Sequence, residues 1–279
     1  MYLYKFSKKE LWLLILFIIF IFLIAFSIRY AWWRKNASYE YPRVLMYHMV
    51  SEQLKDSKFN RLRVSPSKFE SQIKWLKKNG FTSYTVGELM KMEKMPYKAV
   101  CITFDDGYED NYTNAFRIMK KYGFKGTIFI MYNRHSKDSQ KDKETLLPIE
   151  ELSNEPMLND EEIKEMIESG LIEIGSHTIN HINLKKLSQE DRENEIINSK
   201  KAIENQYGIV CNSFAYPYGY YYKSDIEIVK KAGYLNASST INQILDPNDF
   251  NKFEIPRLYI NGNYNMLQFI LKIKKGRVR

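Results

Sequence analysis

The chain has 279 residues, 44% of them hydrophobic and 15% aromatic, which is enough for a large buried core and excludes disorder of the whole chain. This length accommodates one domain of ordinary enzyme size with appendages. The net charge of +9 lies at the ends, because 31 basic and 32 acidic residues remain once 1–35 and 272–279 are set aside. We therefore expect no nucleic-acid partner, and contacts of the termini with anionic lipid or cell-wall polymer.

The first predicted element is a membrane-spanning helix at residues 11–28, an uninterrupted apolar run. Lysines precede it, and Trp32, Trp33 and two basic residues come after it, as is typical of a membrane interface. The alternative is a cleavable signal peptide, whose apolar region is ordinarily shorter and ends in small residues. We expect a retained anchor at 1–35, giving a single-pass cell-membrane protein with residues 36 onward outside the cytoplasm. Secretion after cleavage is the alternative.

After a linker at 36–43, residues 44–271 are predicted to form one α/β domain, followed by a basic tail at 272–279. Strands are predicted at 44–47, 98–104, 126–131, 171–176, 210–216, 234–239 and 254–260, and helices from Ser65-Pro66 to Gly80 and at 110–122, 159–169, 189–207, 224–232 and 265–274. The alternation predicts a parallel sheet or barrel with active groups at the carboxyl ends of the strands. The polar stretch 133–156 is predicted to be a long loop, which either shapes a substrate groove or is a solvated insertion.

Helix-capping residues support these boundaries. Ser224 with Glu227, and Asn159 with Glu162, have capping-box spacing, and glycines end several helices. The two cysteines lie in apolar runs and match no metal or redox spacing, so we expect buried free thiols rather than a disulfide.

Two adjacent carboxylates, Asp105 and Asp106, end the apolar run 100–104 and precede Gly107. Neighbouring strand residues point to opposite faces, so the two carboxylates can serve different tasks, one binding metal and the other accepting a proton. Taken alone, Asp-Asp-Gly is also the composition of an ordinary turn. Its interpretation as part of a catalytic site depends on two later motifs of the chain.

Two histidines four residues apart, His177 and His181, come after a second apolar run. With one aspartate they form a two-His, one-carboxylate ligand set, which suits a divalent metal that keeps positions open for water and substrate. A third run, Ala215 to Gly219, ends another strand, and the backbone N–H of Tyr218 after Pro217 can face a developing oxyanion. These three blocks indicate metal-assisted hydrolysis.

Together the three blocks resemble the polysaccharide deacetylases of carbohydrate esterase family 4, the NodB-homology domain, over roughly residues 44–260. The resemblance implies a distorted (β/α) barrel, here preceded by one transmembrane helix. It further implies Asp105 as general base and Asp106, His177 and His181 as ligands of a metal, usually Zn²⁺, with Co²⁺ or Ni²⁺ also possible. It implies an N-acetylated glycan polymer as partner, and no protein partner is expected.

Two departures from the family pattern bear on the site. No histidine comes after His181, so the general acid must lie elsewhere, and His48 at the end of the first strand is the best candidate. Many members have arginine where this chain has Ala215, and Arg257 is a candidate replacement for that arginine beside Asp105. The alternative is that Arg257 forms an ordinary salt bridge. His135, in the polar stretch, is expected at the surface.

The position of His48, the Ala-Tyr-Pro-Tyr-Gly run and the late Ile-Pro-Arg resemble the extracellular poly-β-1,6-N-acetylglucosamine deacetylases. We therefore expect N-deacetylation of such a polymer, with Tyr216, Tyr218 and Tyr220 lining a sugar-stacking surface. The alternatives are a peptidoglycan N-acetylglucosamine deacetylase, an O-acetyl polysaccharide esterase and a catalytically silent, membrane-tethered glycan-binding protein.

Overall fold

The domain is built on one all-parallel sheet. The computed structural model describes residues 7–30, 35–135 and 150–276. Its strands are β1 Arg43–Tyr47, β2 Thr82–Ser83, β3 Ala99–Phe104, β4 Gly126–Ile130, β5 Ile172–Ser176, β6 Ser213–Ala215, β7 Asn236–Ser238 and β8 Leu258–Tyr259. Their order is β7-β6-β5-β4-β3-β1-β8, with β2 paired to β3.

Helices connect and cover these strands. They are α1 Lys8–Tyr30, α2 Pro66–Lys78, α3 Val86–Met90, α4 Arg117–Tyr122, α5 Glu150–Ser153, α6 Asp160–Glu168, α7 Gln189–Tyr207, α8 Lys223–Lys231 and α9 Met266–Lys275. A π-helical turn, Asn111–Phe116, leads into α4. Because crossover connections join parallel strands, all their carboxyl ends meet at one end of the sheet.

The sheet is buried on both faces, as the continuous burial of β1, β3 and β4 shows. One face packs against the helices, and the other encloses a second apolar cluster around Val44, Cys101, Phe129 and Ala215. A parallel bridge from Ser238 to Ile255 joins β7 to the segment that enters β8. The sheet is thus curled around a filled interior, and the predicted distorted barrel is confirmed.

Most predicted elements are present, and their differences have local causes. The capping box at Asn159 is confirmed. The one predicted at Ser224 is wrong, because α8 starts one residue earlier and Asp225 accepts from the N–H of Tyr222 at 2.8 Å. The short elements β2 and α3 were not predicted, and α5 occupies part of the predicted loop, whose residues 136–149 lie outside the described residues.

Both proposed boundaries of the domain need correction. The stretch 36–43 is not a free linker, because the Ala37 N–H donates to the Lys274 carbonyl at 2.8 Å and Arg43 is fully buried in β1. The basic tail does not begin at 272, since α9 continues to Lys275 and Lys272 is 1% exposed, donating to Asn242 Oδ1 at 2.7 Å. Residues 277–279 lie outside the described residues.

The N-terminal helix stands apart from this domain. Residues Lys8–Ile28 have a mean hydropathy of 3.2 and none of them is buried, so this helix is long and apolar enough to cross a membrane. At 1.5 Å per residue, its 23 residues extend about 35 Å, against about 30 Å for a hydrocarbon core. Within the domain, Cys101 and Cys211 are buried free thiols, as predicted.

Candidate active site

The predicted site residues lie at the carboxyl end of the barrel. His48 comes directly after β1, Asp105 and Asp106 after β3, and His177 after β5. The register pairs Tyr47 with Phe104, and the Asp105 N–H donates to the Tyr47 carbonyl at 3.1 Å. Residues from three strands, far apart in the chain, therefore share one end of the sheet.

Asp105 is held by a buried, bidentate ion pair with Arg257. Its two carboxylate oxygens accept from Nη1 and Nη2 at 2.6 and 2.8 Å, and the guanidinium also donates to the Ser239 carbonyl and Thr103 Oγ1. Burial raises the pKa of the Asp105 carboxyl, but Arg257, with His177 and His48, outweighs burial and brings this pKa below its ordinary value. The predicted position of Arg257 beside Asp105 is confirmed, and Asp105 is ionised at neutral pH.

Asp106, His177 and His181 converge on one point. Asp106 Oδ1 lies 3.6 Å from His177 Nε2 and 3.2 Å from His181 Nε2, and one ligand atom of each residue lies within 4.8 Å of the others. His177 Nδ1 lies 2.8 Å from the Ala215 carbonyl, which can only accept, so Nδ1 carries the hydrogen and Nε2 presents a lone pair. Burial lowers the pKa of His177 to about 4, which keeps the ring neutral.

This cluster fits a divalent metal. Asp106 Oδ1 is buried without a hydrogen-bond partner among the described residues, which is costly unless a cation satisfies it. The Tyr108 hydroxyl hydrogen-bonds the same carboxylate, an outer contact that fixes a metal-binding group. Neutral imidazole and carboxylate are the donors that Zn²⁺ and related ions prefer.

Strained backbone positions two residues of this cluster. Asp106 has φ 76° and His181 has φ 54°, a left-handed conformation that non-glycine residues adopt at a cost of about 1–3 kcal/mol. Glu195 on α7 holds the His181 turn, accepting from the N–H groups of Ile179 and Asn180 at 3.0 and 2.9 Å. The sequence analysis missed Glu195, which has no distinguishing signal on a helix rich in charged residues.

His48 is fixed by its backbone. Asn111, at the start of the π-helical turn, donates from Nδ2 to the His48 carbonyl at 2.8 Å, and Asn114 donates to the Val50 carbonyl at 2.9 Å. His48 Nδ1 is buried and has no hydrogen-bond partner among the described residues. Nearby, burial raises the pKa of Asp110 to about 6. Asn111 and Asp110 were also missed, although their proximity to the Asp-Asp-Gly motif was a usable signal. His135, as predicted, is exposed.

A cavity of about 180 Å³ joins His177 and His181, both aspartates and His48. It is lined by Met46, His48, Phe59, Arg61, Leu62, Asp105, Asp106, Tyr108, Met131, Leu152, His177, His181, Tyr218 and Thr240. The predicted metal cluster, Asp105 and His48 therefore face one shared space at the carboxyl end of the sheet.

The three predicted sugar-stacking tyrosines have different positions. Tyr218 lines the cavity with its ring 4.5 Å from that of His181, and Tyr220, 51% exposed, has its ring 6.4 Å from that of Tyr218. Tyr216 is fully buried, stacks on Tyr221 and donates its hydroxyl to the Phe253 carbonyl. The prediction of a substrate surface on Tyr216 is wrong, because its side chain belongs to the core.

A curled parallel sheet with a carboxylate–arginine pair beside an Asp-His-His cluster defines the class of NodB-type hydrolytic deacetylases. Residues 92–237 match the polysaccharide deacetylase family, and the chain belongs to that family. Family members of this type hydrolyse N-acetyl groups of glycans, so this chain is a polysaccharide deacetylase.

Individual relatives agree with this assignment. YxkH of Bacillus subtilis, assigned to the polysaccharide deacetylases, is 34% identical over 73% of this chain and 66% of its own length. A poly-β-1,6-N-acetyl-D-glucosamine N-deacetylase of Staphylococcus aureus is 32% identical over 72% of this chain and 68% of its own length. A crystal structure of a polysaccharide deacetylase from Bacillus cereus superimposes with a TM-score of 0.68 at 28% identity, covering 84% of this chain and 69% of that one. The chain thus spans about two thirds of the length of these relatives.

Proposed function

We propose that this protein is a metal-dependent N-deacetylase that acts outside the cell on an N-acetylglucosamine polymer, poly-β-1,6-N-acetylglucosamine. The observation that carries the proposal is the buried Asp105–Arg257 pair beside the Asp106, His177 and His181 cluster in one small cavity. The similarity to the Staphylococcus aureus enzyme supports the choice of polymer.

Asp106, His177 and His181 would hold the metal, for which Zn²⁺ is the first choice and Co²⁺ or Ni²⁺ are alternatives. When bound, such an ion lowers the pKa of water from about 16 toward about 7 and polarises a carbonyl oxygen. The neutral His177 ring, fixed by the Ala215 carbonyl, is ready to bind without first losing a proton.

Asp105 accepts the proton of the attacking water. The carboxylate is ionised at neutral pH, and Arg257 holds both of its oxygens in place through a guanidinium that is itself fully buried. The water oxygen bonds to the acetyl carbon, whose oxygen gains negative charge. The backbone N–H of Tyr218, where φ is 57°, is proposed to donate to that oxygen.

His48 then donates a proton to the leaving nitrogen. The carbon–nitrogen bond breaks, the sugar retains an amine, and acetate leaves. His48 lines the same cavity as Asp105, on the neighbouring strand end, so the proton donor and acceptor flank one acetamido group. Tyr218 and the exposed Tyr220 ring are proposed to stack on sugar rings at the mouth.

We further propose that α1 is retained as a single membrane span that keeps the enzyme at the outer face of the cell membrane. The length and apolar character of Lys8–Ile28 support this proposal. Cleavage, which would release the domain, is distinguished by the N-terminal sequence of the mature protein.

The test is acetate and free-amine release by the full chain in nanodiscs, with β-1,6 and β-1,4 oligomers of N-acetylglucosamine as substrates. We expect faster release from the β-1,6 oligomer, loss of release with chelator, and recovery with added Zn²⁺ or Co²⁺. Asp105→Asn should lower kcat by about 10²–10⁴, since it removes a general base. Asp249→Asn, an exposed aspartate outside the cavity lining, is the matched control.

Four results would contradict the proposal. Full activity of Asp105→Asn with metal supplied refutes the base assignment. A preference for the β-1,4 oligomer assigns the enzyme to a peptidoglycan-like substrate, and release of O-acetyl groups alone assigns it to an esterase. Oligomer binding without any acetate release from a metal-loaded chain shows a silent glycan-binding protein.

A further inference from the structure

The two ends of the barrel differ strongly in charge. At the end where the strands begin, the segments 35–43, 79–82, 91–98, 123–125, 169–171, 208–212, 232–235, 244–252 and 272–276 contain ten basic residues, of which Arg43 and Lys272 are buried, and four acidic residues. At the mouth, the segments 48–65, 105–110, 131–135, 150–158, 177–188, 216–223, 239–243 and 253–254 contain eight basic and ten acidic residues. We call the first of these ends the basal face.

The tether ends on the basal face. The Ala37 N–H donates to the Lys274 carbonyl at 2.8 Å, and Arg43 donates to the Ile273 and Ser38 carbonyls at 2.8 and 2.7 Å. Residues 37–43 are thereby bound to the last turn of α9. Six residues lie between Tyr30, the end of α1, and Ala37, and the seven Cα–Cα steps that join these two residues span at most about 25 Å.

The side chains of the basal face suit a lipid headgroup layer. Tyr97 is 64% exposed, and Lys98 Nζ lies 5.1 and 5.6 Å from the ring centres of Tyr39 and Tyr97. Lys35 and Lys94 are exposed. Amphipathic tyrosines beside lysines are typical of the interface of anionic membranes, which attract basic clusters within a Debye length.

We propose that the basal face docks on anionic lipid headgroups and that the catalytic mouth points away from the bilayer. All strands run in the same direction from the basal face, so β1 leads from Arg43 at the membrane side to His48 at the far side. The mouth has no excess of basic residues that would compete for the same lipids. The inference rests on the proposed membrane anchoring and does not depend on which polymer is the substrate.

The experiment measures which end of the full chain approaches the lipid. The chain is placed in nanodiscs that contain a headgroup-attached quencher and either zwitterionic lipid alone or a mixture with phosphatidylglycerol. A fluorophore is attached at Lys91→Cys on the basal face or at Lys55→Cys at the mouth, both exposed positions, while the native thiols are buried. We expect at least about twofold stronger quenching at position 91 than at 55 with anionic lipid, and loss of this contrast in 1 M salt.

Charge-reversal variants separate docking from simple tethering. Lys94→Glu with Lys274→Glu should reduce the contrast, whereas the matched pair Lys164→Glu with Lys201→Glu, at exposed positions within α6 and α7, should leave it unchanged. The proposal would be overturned by equal quenching at both labels, by stronger quenching at the mouth, or by equal effects of the two variant pairs. Failure of the chain to enter the nanodisc would also overturn it.

Three further outcomes distinguish this proposal from binding of wall polymer and from the proposed deacetylase function. If soluble poly(glycerol phosphate) changes the label at position 91 while anionic lipid does not, the basal face binds wall polymer and the lipid proposal is overturned. Acetate release without any difference between labels leaves the proposed deacetylase function in place and refutes the orientation. A clear difference between labels without acetate release supports the orientation and refutes the proposed deacetylase function.

Discussion

Removing the Arg257 guanidinium tests how the site controls its base. Arg257→Met removes the ion-pair partner of the buried Asp105, and breaking a buried ion pair by removing one partner costs about 3–5 kcal/mol. The bidentate contacts at 2.6 and 2.8 Å, together with full burial of the guanidinium, favour the upper part of that range. We therefore expect a large loss in the free energy of unfolding at pH 7.

The same variant should change the pH dependence in a defined direction. In the native chain the folded pKa of Asp105 is below its ordinary value, so the pair stabilises the fold above about pH 4 and this stability is lost as the pH falls. Without Arg257, burial dominates and raises the pKa of Asp105. The acidic limb of kcat/KM should then move to higher pH, and stability should fall as the pH rises through the new pKa.

A second buried ion pair provides the control. Arg192 donates from Nε to Asp225 at 2.7 Å, and neither residue lines the cavity. Arg192→Met should therefore lower the free energy of unfolding without moving the acidic limb. The assay is kcat/KM on a β-1,6 oligomer between pH 4 and 9, with urea unfolding of the same nanodisc samples. An unmoved acidic limb in Arg257→Met would refute the conclusion that Arg257 sets the ionisation of Asp105.

Three further predictions concern residues around the ligands and the proton donor. Glu195→Ala should weaken metal affinity by about 10–100-fold, because the His181 turn loses its acceptor. Competition with a fluorescent chelator measures this affinity, and the control Glu190→Ala, at an exposed position, should leave it unchanged. Asn111→Ala should lower kcat by about tenfold or more with little change in KM, because the His48 carbonyl loses its donor. An unchanged kcat would show that the 2.8 Å contact between Asn111 Nδ2 and the His48 carbonyl does not position His48. Burial raises the pKa of Asp110 to about 6, so native stability should decline on the order of 2–3 kcal/mol as the pH rises from about 4 to above 6, and urea unfolding of Asp110→Asn should lack this decline.

The fold was predictable wherever the signal was local. Continuous apolar runs identified the long parallel strands, and the predicted cap at Asn159 bounded α6 to within a residue. The failures came from competition between neighbours, as at α8, where Asp225 supplies the cap in place of Ser224. Residues 36–43 resemble a linker in composition, and only their contacts with α9 show that they belong to the domain.

The sequence by itself indicated the candidate chemical groups of the site. Spacing within single motifs sufficed for the Asp-Asp pair, the two histidines and the apolar helix, since each of these patterns is complete within a few residues. Only the tertiary structure decided which distant residues act together. It brings Arg257 onto Asp105 across 152 positions of the chain, buries Tyr216 while exposing Tyr220, and holds His48 through Asn111. These relations depend on strand order and packing, which no local pattern encodes, because parallel strands bring together segments that are far apart in the chain.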